Sequence, residues 1–249
     1  MKRILLRSLE ILSLLIMIPL ALAGQSIPKD TVIYSAQVNS TGSFSKTNDL
    51  NSFLLNNVLK LSVTKGAFSL QNSDGWIYGE QSGVKINNDY SSVLEGDWLK
   101  NLHKLYFWGI GTFDKSYSLK VNYRYQVGIG PGYTIVRNNR LSVIVSDGIM
   151  YERGDLTYPE LGQVTYSTWR NSFRLKYHWL ILDKVSFDGT GFIQPSLSHK
   201  HDNIMRYTTT LSVKLKKWLS VTSSLTYNRI TRTERENLVV TYGIAVNYN

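Results

Sequence analysis

The ionisable residues that could do chemistry in this chain are mostly basic, and they are scattered singly instead of forming runs. Many fall at alternate positions of a segment, and a strand sends alternate side chains to the same face. The candidate residues for such an inward face are Lys120, Arg124, Arg170, Arg174, Lys176, Asp188, Arg206 and Lys214. They would either brace a filled interior by ion pairs or line a narrow pore that favours small anionic solutes.

Opposite charges are expected to meet across neighbouring strands of the same face. A hairpin that turns near Leu182 would place Lys176 opposite Asp188, and cross-strand pairs of opposite charge are favourable. Glu95 and Asp97 are two further acids that we expect on an inward face.

The histidines do not form a recognisable catalytic or metal site. His199 and His201 flank Lys200 and could bind a metal weakly, but two ligands without partnered carboxylates do not make a site. His178 and a serine such as Ser172 or Ser186 could act on lipid, but a hydrolytic triad also needs an orienting group in contact. We therefore predict no catalytic residue, no metal and no cofactor, and keep a lipid-modifying enzyme as an alternative.

The glycines at positions 128, 130 and 132 have a spacing that resembles part of a nucleotide-binding loop. Such a loop joins a strand to the N-terminus of a helix, whereas this one lies within a strand pattern and precedes another strand. The favoured interpretation is that these small inward residues make room for a bulky neighbour or permit curvature.

Composition narrows the class of protein. The chain has 249 residues, 18% charged and 12% aromatic, which is too few charges and too many aromatics for disorder. It contains no cysteine, which excludes disulfides and thiol chemistry. Its formal net charge of +10 is dispersed, which argues against a nucleic-acid partner.

Residues 1–23 have the three parts of an export signal. Lys2, Arg3 and Arg7 precede the apolar stretch 11–22, and small residues at 21 and 23 match a signal-peptidase site. We predict cleavage after Ala23, leaving residues 24–249 as one mature domain. No later stretch is apolar for long enough to form a membrane helix, so the exported domain is either soluble or a closed β-barrel.

Alternation of apolar and polar residues favours the barrel. Between residues 119 and 136, the odd positions are all apolar or aromatic, from Leu119 and Val121 to Ile135, and the even ones are polar or glycine. Residues 165–179 and 238–248 alternate in the same way. Runs of this length exceed the usual strand of a soluble sandwich and reach the roughly 9–11 residues that cross a membrane obliquely.

Dividing the chain at its turns predicts about twelve strands, near residues 31–41, 52–64, 67–79, 89–98, 104–113, 117–136, 141–152, 165–179, 184–197, 204–216, 219–230 and 237–248. Ten or fourteen strands remain open, because the third strand alternates poorly. Short turns at 65–66, 99–103, 137–140, 180–183 and 217–218 alternate with connections that are mostly longer, as in bacterial outer-membrane barrels.

Aromatic residues fall where membrane interfaces are expected. With both chain ends in the periplasm, the short turns bring Trp98, Trp179 and Trp218 to the periplasmic interface. Trp169 lies ten residues before Trp179 on the same face, or about 25 Å along the membrane normal. The predicted interface aromatics are Trp98, Trp169, Trp179, Trp218 and Tyr248. Asp147 falls in phase with the apolar face, and a β-bulge at Asp147-Gly148 is expected to turn it inward.

Several motifs resemble a known family. They are Asn39-Ser-Thr-Gly-Ser-Phe-Ser, Tyr106-Phe-Trp-Gly, Val127-Gly-Ile-Gly-Pro-Gly-Tyr133 and Asn138-Asn-Arg-Leu-Ser-Val. In these, the chain resembles the YdiY-like proteins, described as salt-induced outer-membrane proteins and largely of unknown function. The resemblance implies an outer-membrane barrel and supplies no catalytic residues.

Together these features predict an all-β protein: a single antiparallel transmembrane β-barrel in the outer membrane of a Gram-negative cell. Its expected partners are outer-membrane lipid and the barrel-assembly machinery. Its expected role is passive, either in envelope structure under salt or osmotic stress or in restricted passage of small solutes. A narrow channel that favours anions remains an alternative.

Overall fold

The computed structural model describes residues 32–47, 50–98, 100, 104–158 and 162–248. The predicted signal peptide, residues 1–23, lies outside this range. In the described part of the chain, no helix is long and apolar enough to cross a membrane. Within these ranges, the regular structure consists of β-strands and a single 3-10 turn, Thr231–Thr233.

Fourteen strand segments follow one another along the described residues. They are β1 (Ile33–Thr47), β2 (Leu50–Lys65), β3 (Phe68–Gln81), β4 (Val84–Trp98), β5 (Leu105–Ser116), β6 (Val121–Arg137), β7 (Leu141–Ser146), β8 (Ile149–Tyr158), β9 (Gly162–Asn171), β10 (Phe173–Leu182), β11 (Val185–Pro195), β12 (Asn203–Lys214), β13 (Leu219–Ile230) and β14 (Arg235–Tyr248).

Two pairs of these segments are the halves of single long strands. β7 and β8 both pair with β6, in the same register, on either side of Asp147-Gly148. In the next strand of the ring, β9 pairs with β8 and β10 pairs with β7, and Ser172 separates β9 from β10. The ring therefore has twelve antiparallel strands, and β1 closes it by pairing with β14. This confirms the predicted twelve-stranded closed barrel.

Side chains divide between the two faces of the ring as the alternation predicts. Val127 and Tyr242 are each 64% exposed on the outside, whereas Arg124 is 2% exposed and Arg170 is fully buried inside. An apolar exterior is suited to contact with lipid, and a polar interior is suited to a lumen shielded from lipid. The exterior is therefore the face that would contact acyl chains.

The two ends of the barrel differ. We call the end where β1 starts and β14 finishes the near end, and the opposite one the far end. At the far end β1 and β2 remain paired up to Thr47 and Leu50, and β3 and β4 up to Gln81 and Val84. The longer connections predicted at residues 42–51 and 80–88 are therefore mostly strand. Their Ser, Asn and Gly content indicated loops, but these strands have 14–16 residues and exceed what a membrane crossing needs.

The phase predicted for the start of β6 is wrong. Register shifts in the pairing of β6 with β5 and with β8 turn Leu119 and Val121 inward, where they are 7% and 2% exposed. Lys120, predicted on the lumen face, lies instead in the β5–β6 turn with a φ of 58°. Its Nζ lies 4.6 Å from the centre of the Tyr117 ring.

The interruption at Asp147-Gly148 does not change the phase of its strand. Ser146 and Met150 are both buried on the inner face, and Asp147 remains exposed on the outer face. There its Oδ1 accepts a hydrogen bond of 2.7 Å from Nδ2 of Asn171. The expectation that a bulge turns Asp147 inward is therefore wrong.

Candidate functional site: the lumen

The alternate glycines of β6 form a track that seats aromatic side chains of β5. Tyr106 pairs with Gly132 and Trp108 with Gly130. A Cβ atom added to Gly132 would lie 2.2 Å from a ring carbon of Tyr106. The indole Nε1 of Trp108 donates a 3.1 Å hydrogen bond to the carbonyl oxygen of Pro131. These glycines lie within a strand and make room for bulky neighbours.

An apolar cluster fills this side of the lumen. Its buried members are Tyr106, Trp108, Ile110, Ile144 and Met150. These residues come from β5, β7 and β8, which lie close to the glycine track. Their side chains project into the lumen on this side of the ring. The lumen is consequently filled asymmetrically.

Arg170 is the centre of the first of three charged clusters. Its Nε and Nη2 atoms donate 2.9 Å hydrogen bonds to the two carboxylate oxygens of Glu152. The Nη2 atom also lies 3.0 Å from Asp202, in the β11–β12 loop. Tyr166 donates a 2.5 Å hydrogen bond to Glu152. The cluster therefore ties β8 and β9 to a loop at the far end, with the Arg170 and Glu152 side chains both fully buried.

Asp114 is the centre of the second cluster. Its carboxylate lies 3.1 Å from Nη2 of Arg124 and 2.6 Å from Nη2 of Arg206. Since Arg206 comes from β12, this contact crosses the lumen.

Glu95 is the centre of the third cluster and also bridges the lumen, from β4 to β10. Its two oxygens lie 2.8 Å from Nη1 of Arg174 and 2.7 Å from Nζ of Lys176. The Arg174 guanidinium carbon lies 5.1 Å from the centre of the Trp108 ring and 5.8 Å from that of Phe192. Arg174 thus joins the charged and aromatic parts of the filling.

The predicted pairing of Lys176 with Asp188 is wrong. Lys176 pairs with Thr190, whereas Asp188 pairs with His178, whose Nδ1 lies 2.5 Å from the carboxylate. The hairpin turns at Asp183-Lys184 and has an irregularity between Leu180 and Leu182, so the observed register differs by two residues from the predicted one. Asp188 lines the lumen close to the end of the barrel that we call the near end.

The remaining candidate residues are placed as follows. Lys214 ends β12 at the near rim, exposed and in phase with Arg206. Trp98, Trp179 and Trp218 are about half exposed at the near end. Trp169 is exposed further toward the far end and packs edge-on against Tyr151, with ring centres 5.2 Å apart. The side chain of Tyr248 lies outside the described part of the structure.

The two serines considered beside His178 have other partners. Ser186 donates a 3.1 Å hydrogen bond to Asp188, and Ser172 accepts one of 3.2 Å from Gln194. Among the described residues, no group of three His, Asp, Glu or Cys side chains is arranged to hold a metal.

A cavity of about 580 Å³ lies in the part of the lumen that the filling leaves open, and the Asp114 and Glu95 clusters border it. Much of its wall consists of small hydroxyl and amide side chains: Asn39, Thr41, Asn56, Ser73, Ser91, Thr190, Thr208, Thr210, Ser224, Thr226, Asn228 and Asn237. Charged side chains also line it, among them Lys60, Asp89, Asp188 and Arg229. This polar wall is not among the predicted features, although the same period-two alternation places Ser, Thr and Asn on the inner face of these strands. Asp114 and Glu95 border the cavity on the filled side.

The β5–β6 turn, residues 117–120, covers part of the far mouth, and we call it the cover turn. Asp89 of β4 accepts hydrogen bonds of 3.0 and 2.7 Å from the N and Oγ of Ser118. Asn237 of β14 donates one of 3.1 Å to the same Oγ. Leu119 packs in a buried cluster with Ile204 and Ile230, which come from β12 and β13. The turn therefore reaches from β5 across to the other side of the ring.

A closed antiparallel ring with an apolar exterior, exposed tryptophans and a charged lumen defines a transmembrane β-barrel of the outer-membrane class. Such barrels share an architecture and differ in what their lumen admits. The chain belongs to the DUF481 family, described as proteins of unknown function, whose sequence profile matches residues 41–248.

Several solved barrels are similar to this chain. The translocator domain of the autotransporter NalP from Neisseria meningitidis is 12% identical, with 88% of this chain and 89% of that one covered and a TM-score of 0.49. The NanC porin is 11% identical, with 87% and 100% covered and a TM-score of 0.49. The COG4313 outer membrane channel from Pseudomonas putida F1 is 10% identical, with 90% and 97% covered and a TM-score of 0.46. No curated protein matches the chain in sequence.

Proposed function

We propose that this barrel is a porin-like, non-enzymatic conduit that gives small uncharged polar solutes restricted passage through the outer membrane. The observation that carries the proposal is the cavity of about 580 Å³ along a wall of hydroxyl and amide side chains. Its volume lies within the range of cavities that hold small ligands. Hydroxyl and amide side chains both donate and accept hydrogen bonds, so such a wall can replace the water around a polyol or a small sugar.

Ion pairs reduce the excess of positive charge in the lumen, which supports uncharged solutes over the anion-selective alternative. Five of the seven cations that suggested an anion-selective pore have carboxylate partners. Arg124 and Arg206 share Asp114, and Arg174 and Lys176 share Glu95. Arg170 pairs with Glu152 and Asp202. A paired cation attracts an anionic solute less than a free one does, because the partner's charge opposes its field.

The cellular setting belongs to the same proposal. The barrel would reach the outer membrane through a cleaved signal peptide and the barrel-assembly machinery, and its apolar exterior would contact outer-membrane lipid. We also propose that within its family it is YdiY-like and induced by salt. The residues that carry this resemblance include Tyr106, Trp108 and the glycine track, which lie together in the lumen.

The test is solute-driven swelling of vesicles that contain the purified barrel, with polyols and sugars of increasing size. Thr208→Trp would fill the cavity from the inner face of β12, and Leu211→Trp, on the outer face of the same strand, is its matched control. We expect the barrel to speed the entry of glycerol, Thr208→Trp to remove most of that rate and Leu211→Trp to keep it.

A second variant, Leu119→Ser, releases the apolar anchor of the cover turn. If neither the unmodified barrel nor Leu119→Ser admits glycerol faster than empty vesicles, the proposed function is wrong. Equal rates for Thr208→Trp and Leu211→Trp would place any passage outside the cavity and would also contradict it.

A further inference from the structure

The outer face of β1–β4 carries polar side chains at mid-height, where lipid-facing residues are normally apolar. They are Ser40, Asn57, Asn72, Asp74 and Ser92, and we call them the polar stripe. Ser40 lies at the middle of β1, and Asn57 and Asp74 lie near the middle of β2 and β3. The stripe therefore crosses the centre of the apolar band.

The phase of each strand places the stripe outside the ring. On β2, Leu55 and Leu61 share a face with Asn57 and are each 44% exposed. On β3, Phe68 and Trp76 share a face with Asp74 and are 48% and 44% exposed. The stripe therefore lies between large apolar side chains that face outward.

Hydrogen bonds within the stripe satisfy its groups only in part. Ser40 donates a 2.8 Å hydrogen bond to Oδ1 of Asn57. Asp74 accepts one of 2.6 Å from Asn72 and one of 3.3 Å from the hydroxyl of Tyr90. The Asn57 amide nitrogen donates no hydrogen bond to the described residues. Polar groups left without partners in hydrocarbon are costly, so this face is poorly matched to acyl chains.

We propose that the polar stripe is the surface through which two copies of this chain pair side by side in the membrane. Amide and hydroxyl groups both donate and accept, so a stripe of them is complementary to itself across a twofold axis. The carboxylate of Asp74 already has two donors within its own chain and can lie off that axis. Ala36 and Gly42, in phase with Ser40 on β1, are small and allow a second wall to approach closely.

The chain contains no cysteine, so a single introduced cysteine can be bridged only to another molecule. Ser40→Cys places a thiol of similar size within the stripe. Ser167→Cys is the matched control, because Ser167 is exposed on the outer face of β9, on the opposite wall of the ring. We expect bridging by a short thiol cross-linker in whole cells to yield a two-chain product for Ser40→Cys and little for Ser167→Cys.

A second measurement does not depend on cross-linking. Asn57→Leu combined with Asp74→Leu makes the face apolar, and should weaken pairing by about tenfold or more, measured as mass in detergent over a range of protein concentration. Heat-modifiable gel migration reports that the variant barrel is folded. A single-chain mass for the unmodified barrel at every concentration would overturn the proposal. So would equal bridging at the two positions, or a product heavier than two chains that contains another protein. Vesicle swelling is independent of pairing, so this proposal can fail while the proposed conduit stands.

Discussion

At the scale of single residues, the lumen is held by side chains that are buried together with their partners. Arg170 and Glu152 have fully buried side chains and meet through two hydrogen bonds, and Asp202 completes the cluster. A buried charge is tolerated when its partner is present, and removing one partner leaves the other uncompensated. The three clusters therefore constrain the wall, because each one links elements that backbone hydrogen bonds alone do not hold together.

Replacing Arg170 by Met should destabilise the barrel by about 3–5 kcal/mol, because Glu152 is left buried without its partner. The measurement is denaturant unfolding in lipid vesicles. Arg153→Met is the matched control, since Arg153 is exposed on the outer face of the neighbouring strand β8. We expect the pair Arg170→Met with Glu152→Gln to recover part of the loss. A loss as small as that of the control would contradict the assigned role.

Replacing Gly132 by Val should also destabilise the barrel, by about 1–3 kcal/mol, because its side chain would overlap the ring of Tyr106. Gly111→Val is the control, since a Cβ atom there meets nothing within 4 Å. Tyr106→Ala in the same chain should relieve the overlap. If Gly132→Val is tolerated as well as Gly111→Val in a heat-modifiability assay, the glycine track is not a seat for aromatic side chains.

At the scale of elements, the strand pattern could be predicted because its signal is local. A period of two residues fixes which face of β6 is apolar from Val127 onward, whatever lies on the other side of the ring. Local patterns do not show bulges, which is why Leu119 and Val121 were placed on the wrong face. Local patterns also do not show contacts between elements that are distant in the sequence. Nothing near Arg206 in the sequence indicates that it contacts Asp114.

The cover turn is the element that most directly limits access to the cavity. Leu119→Ser should weaken its apolar anchor and raise the rate at which glycerol enters vesicles, because Ile204 and Ile230 lose a packing partner. Leu238→Ser, a change of the same kind on the exposed outer face of β14, should leave the rate unchanged. Equal rates for the two variants would show that the turn does not limit passage.

At the scale of the whole molecule, the barrel is an asymmetric cylinder. Aromatic side chains and ion pairs fill the sector around β5–β10, and small polar side chains line the cavity along the remaining wall. The filled sector braces the ring, and the open sector supplies the volume that the proposed function requires. Both sectors are built from the same inward face of the strands, so the whole arrangement requires that this face points into the lumen and the other toward lipid.

Spin labels at single cysteines along β6 in lipid vesicles report this assignment of faces, through the collisional accessibility of each site to oxygen. Val127 and Ile129 are 64% and 72% exposed, whereas Gln126 and Thr134 are 1% and 3% exposed. We predict high oxygen accessibility at the first two positions and low accessibility at the second two. The reverse order, or accessibility that does not alternate along the strand, would show that inside and outside are wrongly assigned.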